Sequence, residues 1–137
     1  WEKLFIFLGR AEFEKKMAET IRALSSKGKK VILVADIPSL DAQPGACLYL
    51  NRIGTKPVCG ISRARYEEQR DYLEILQKFE SFENVDLIDG VSLFCNEMSC
   101  SILDGEHLLY SDDNHLNEKG SVEFADYIIG QTRFLQP

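Results

Sequence analysis

The residues best suited to chemistry lie in one short run, Tyr110-Ser111-Asp112-Asp113-Asn114-His115-Leu116-Asn117. Asp112 and His115 stand three apart. At that spacing a carboxylate can hold one imidazole nitrogen while the other exchanges a proton with a nucleophile, as hydrolytic and acyl-transfer triads require. Spacing alone is a weak signal, because Asp, Asn and Ser also build ordinary turns through local backbone hydrogen bonds. His107, the other histidine, has no such neighbours and reads as a surface residue of a hairpin. A helix starting just past His115 would disfavour the imidazolium through its positive end, while the Asp112 carboxylate would favour it.

The elements around this run follow from apolar periodicity. Trp1 to Leu8 reads as an extended apolar segment closed by Gly9. Phe13, Met17, Ile21 and Leu24 recur at helical spacing and predict a helix over 11–27, with Gly28 as its C-cap. Val31 to Ala35 is a continuous apolar run, the pattern of a strand buried on both faces of a parallel sheet. An irregular segment is expected from Asp41 to Ile61, long enough to need tying down. Tyr72, Ile75, Phe79 and Phe82 predict a helix over 62–82, and Val85 to Asp89 the next strand. A hairpin follows at Leu103-Asp104-Gly105-Glu106. Asn117 caps a last helix whose inward residues should be Val122, Ala125, Ile128 and Ile129. Alternation of strand and helix argues for an α/β domain with a parallel sheet.

Composition bounds the function. At 137 residues the chain suits one domain, and 45% hydrophobic with 28% charged residues can build a core. A net charge of −6 gives no basic face for a phosphate backbone, so nucleic acid is excluded as a partner. No apolar run reaches the ~20 residues that cross a bilayer. A start at Trp1, with Leu4 to Leu8 close behind, leads us to expect a piece of a longer polypeptide, in which any signal or membrane segment would lie upstream. Cys47, Cys59, Cys95 and Cys100 fall into two local pairs, which favours two loop-closing disulfides and an oxidising compartment. Zinc, which lacks a Cys-x-x-Cys here, and four buried free thiols are the competing readings.

The run from Leu109 to Asn117, continued by Gly120-Ser121, resembles the final block of the SGNH hydrolase superfamily. More narrowly, it is similar to the periplasmic SGNH domain fused behind the membrane helices of bacterial O-acyltransferases of the O-antigen O-acetylase type. Thr20-Ile21, Leu24, Gly28-Lys29-Lys30-Val31, Ile37-Pro38, Cys47-Leu48, Cys59, Leu87-Ile88-Asp89, and Cys95 with Cys100 agree along nearly the whole chain. The resemblance implies a three-layer α/β/α fold with a parallel sheet, SGNH or flavodoxin-like. It implies His115 as general base and Asp112 as its orienting acid, with Asp113 the nearest rival.

Three family blocks are missing: the Gly-Asp-Ser that carries the nucleophile, a second block whose Gly is an oxyanion donor, and the Gly-x-Asn-Asp whose Asn is another. Residues 1–137 are therefore expected to be the C-terminal portion of a single SGNH domain, with the N-terminal portion as its missing partner. The implied function is transfer of an acyl group, acetyl first of all, from an upstream membrane domain to a cell-envelope glycan such as lipopolysaccharide O-antigen. That places the domain in the periplasm, tethered to the inner membrane. The chemistry requires no metal or organic cofactor, and the chain alone is expected to be inactive, because oxyanion donors contribute ~3 to 4 kcal/mol and the triad acts as a unit. A secreted carbohydrate esterase and a non-catalytic glycan-binding module are the other readings.

Overall fold

In chain order the elements are helix α1 (Arg10–Ser25), strand β1 (Val31–Val34), α2 (Pro44–Arg52), β2 (Gly60–Ser62), α3 (Arg63–Glu68), α4 (Leu73–Lys78), a 3-10 turn (Phe79–Ser81), β3 (Val85–Ile88), α5 (Val91–Phe94), β4 (Ser99–Ser101), β5 (Leu103–Asp104), β6 (His107–Leu108) and α6 (Glu118–Gln131). The computed structural model describes residues 9–41, 43–55, 59–104 and 107–135. They group into two compact units. One is drawn from the segment ending at Asp36, from Arg70–Asp89 and from Ile128 onward; the other from Ile37–Gln69 and Gly90–Tyr127.

In the first unit the continuous apolar run forms the expected parallel strand, with Val31 and Leu33 buried and Ile32 and Val34 half-buried rather than buried on both faces. β1 pairs with β3 in parallel, Val31 opposite Val85 and Val34 opposite Ile88. Helices with a parallel strand pair make this an α/β fold. Phe13, Met17 and Ile21 of α1 bury against Val31, Leu33, Ile75, Leu76 and Val85, each such side chain contributing about 1.5 to 3 kcal/mol. Leu24, expected on the same stripe, is 39% exposed, because α1 has reached its last turn there. Gly28 ends the helix at φ 68°, a left-handed conformation open to glycine at little cost. Its amide donates to the Ser25 carbonyl at 2.9 Å. The expected first strand, Trp1 to Leu8, lies outside the described residues.

The single helix expected over 62–82 is divided. α3 stops at Glu68 and α4 begins at Leu73, with Tyr66 buried in the second unit and Tyr72 in the first. Two adjacent side chains hold the break. Gln69 accepts from the Ser39 amide at 3.2 Å and donates to its carbonyl at 3.0 Å, while Arg70 pairs with Asp89.

In the second unit β2 and β4 are antiparallel, with Ile61 opposite Cys100. A Cβ at Gly60 would lie 1.9 Å from the Cys100 carbonyl oxygen, so the strands approach through a glycine. β5 and β6 pair as a hairpin, Asp104 opposite His107; the Gly105 and Glu106 of the expected turn lie outside the described residues. The segment expected to be irregular holds α2, and Cys47 on that helix is bonded to Cys59. Cys95 is bonded to Cys100. Phe94 packs edge-on against both Tyr110 and Phe124 in a core that includes Leu40, Ile61, Ile102 and Leu109.

α6 departs from its expected face. Val122 is 56% and Ile129 51% exposed, Ala125 is exposed and Ile128 half-buried. Within the second unit the helix packs inward instead through Gly120 and Phe124, the latter against Phe94 and close to Gly90.

Candidate active site

The Asp112 and His115 side chains sit on a closed loop of the second unit. Its stem is a bridge between Tyr110 and Leu116. Inside that bridge the Ser111 amide donates to the His115 carbonyl at 2.8 Å, and the Ser111 hydroxyl to the same oxygen at 3.1 Å. One flank is anchored by Tyr110, wholly buried, whose hydroxyl donates to the Pro38 carbonyl at 3.1 Å. Burial pushes the Tyr110 phenol well above its ordinary range, so the group stays a neutral donor. The Leu40 amide donates to the Asp113 carbonyl at 2.7 Å, tying the loop tip to the 37–41 segment.

Within this frame Asp112 and His115 meet. His115 Nδ1 lies 2.8 Å from Asp112 Oδ2 and 3.0 Å from Oδ1. Oδ1 also accepts from the amides of Asn114 at 2.9 Å and His115 at 2.7 Å. The Asn114 amide, then the imidazole, hold the Asp112 carboxyl below its usual value, so it is an anion near neutrality. An anionic carboxylate on Nδ1 places the proton there and leaves the Nε2 lone pair to accept one. The His115 side chain is 73% exposed and Asp112 47%, so solvent screens the pair.

Asp113 takes part in the loop through its backbone carbonyl, and the contacts to the imidazole are those of Asp112. Sequence reasoning found the pair and the cap at Asn117, whose Oδ1 accepts from the Gly120 amide at 2.9 Å. It missed Tyr110 and the Leu40 to Asp113 bond, because nothing in a sequence spacing joins the 37–41 segment to this loop. His107 is exposed on β6. Among the described residues no group of three or more His, Cys, Asp or Glu side chains is arranged to hold a metal ion, and no helix is long and apolar enough to cross a membrane.

The family described as SGNH domain (fused to AT3 domains) matches residues 2–129. The chain belongs to this family. No curated protein and no solved structure matches it. The chain is thus an SGNH module of the kind associated with AT3, acyltransferase-3, domains, and its chemistry falls in the esterase and acyltransferase class. The loop carrying Asp112 and His115 lies inside the matched residues.

Proposed function

We propose that residues 1–137 are the C-terminal portion of one SGNH domain that transfers an acyl group, acetyl first of all, to a hydroxyl of a cell-envelope glycan such as lipopolysaccharide O-antigen. The observation that carries this reading is the 2.8 Å contact between Asp112 and Nδ1 of an exposed His115. Membership of an AT3-fused family supports a membrane-bound acyl donor and a periplasmic place for the domain.

In this reading a serine outside residues 1–137 attacks the acyl carbonyl carbon. Its hydroxyl proton passes to His115 Nε2, and Asp112 stabilises the imidazolium. The imidazolium gives that proton to the departing donor group, and an ester to the serine remains. The glycan hydroxyl then loses its proton to His115 and attacks the ester, and the serine oxygen leaves with the proton. His115 and Asp112 end as they began.

The test is release of acetate from an activated acetyl ester by the longer protein that carries the missing nucleophile block. His115→Ala should reduce the rate to background, and residues 1–137 alone should give none. Ester cleavage that survives His115→Ala in the longer protein would overturn the reading.

A further inference from the structure

Asn117 does more than cap a helix. Its Oδ1 accepts from the Gly120 amide at 2.9 Å, which is the capping bond, while its Nδ2 donates to the Leu108 carbonyl at 2.7 Å. Its own amide donates to the Leu109 carbonyl at 2.9 Å. Leu108 and Leu109 lead into the site loop, and Asn117 stands two residues beyond His115, so one residue ties entry to exit. The first turn of α6 is seated hard against that entry: a Cβ on Gly120 would come within 2.1 Å of the Leu109 oxygen. Capping needs only an acceptor for a helical amide, which Ser and Asp supply as well as Asn does. The bond to Leu108 needs a donor at the same position, which the amide of Asn adds.

His115 needs such support. Its ring is largely exposed, so its place depends on the Asp112 contact and on where the backbone carries it. We propose that Asn117 is a positioning residue for His115, its side-chain amide fixing the exit of the loop against the Leu108 carbonyl so that the base meets the reacting hydroxyl. This rests on the acyl-transfer reading above.

The variants are made in the longer protein and assayed with an activated acetyl ester, beside His115→Ala. Asn117→Ser keeps a cap for Gly120 and removes the donor to Leu108; Asn117→Asp keeps the cap and sets an acceptor against that carbonyl. We expect kcat per folded molecule to fall about 10- to 100-fold with KM changed by less than about twofold, since misplacing a reacting group harms the chemical step rather than binding. The thermal midpoint of at least one variant should stay near that of the parent. Parental kcat in the variants, with activity abolished by His115→Ala, would overturn the positioning role alone. Activity retained in His115→Ala would overturn it together with the acyl-transfer reading. Failure of both variants to fold would overturn it too, assigning Asn117 to folding instead.

Discussion

Asp112 accepts from two backbone amides and from an imidazole, so its charge is held by the loop as much as by the histidine. The Asn114 amide is the largest single cause that lowers its pKa, followed by the hydrogen bond to the His115 ring. The sign of the pH effect follows. A carboxyl with a depressed folded pKa contributes its interactions above the unfolded value and loses them as pH falls through the folded one. The Asp112 to His115 contact should therefore persist at pH 3.8, the ordinary midpoint of the group, and be lost only below it. Carboxyl-carbon NMR of Asp112 should show a midpoint under 3.8 that rises in His115→Ala yet stays depressed, because the Asn114 amide remains. Full return to the ordinary value in that variant would show that the imidazole alone, and not the Asn114 amide, holds the carboxyl down.

Among the elements, β1 and α1 were legible because their signals are local. A continuous Val-Ile-Leu-Val run signals a strand, although Val31 and Leu33 are buried while Ile32 and Val34 are half-buried rather than covered on both faces as expected, and Gly28 marks the helix end. α2 was hidden because Pro44 and Gly45 read as breakers, although proline at the first helical position is a start signal. The division between α3 and α4 was hidden for another reason. Tyr66 and Tyr72 belong to different cores, and six residues of helix would turn them about 120° apart, so one stripe could not serve both. α6 was misread because its aliphatic residues drew attention from Gly120, which makes the close approach. That approach is testable: Gly120→Ala should cost about 1 to 3 kcal/mol, since the new methyl meets a backbone oxygen that can move only with the loop. Chemical denaturation of parent and variant would measure it. An unchanged midpoint would overturn the role of that close approach.

At the scale of the whole chain the cysteines connect sequence, structure and compartment. The contact between Asp112 and His115 was legible because they are three residues apart, and the disulfide pairs because each spans a short segment. The anchoring of the site loop by Pro38 and Leu40 was not, since it joins residues that only the fold brings together. Both disulfides lie in the second unit with the site loop: Cys47 with Cys59 closes a separation of 12 residues, and Cys95 with Cys100 one of 5. Closing the longer segment removes disorder from the unfolded chain worth about 3 kcal/mol. Replacing Cys47 and Cys59 together with serine should therefore lower stability by about 2 to 4 kcal/mol. Hydrogen exchange should show the loss first at the amides of Ile61 and Ile102, which lie beside the bonded cysteines in that core. The protein denatured without reductant should give no reactive thiol. Four reactive thiols would remove both bridges, and with them the argument from cysteine chemistry for an oxidising compartment.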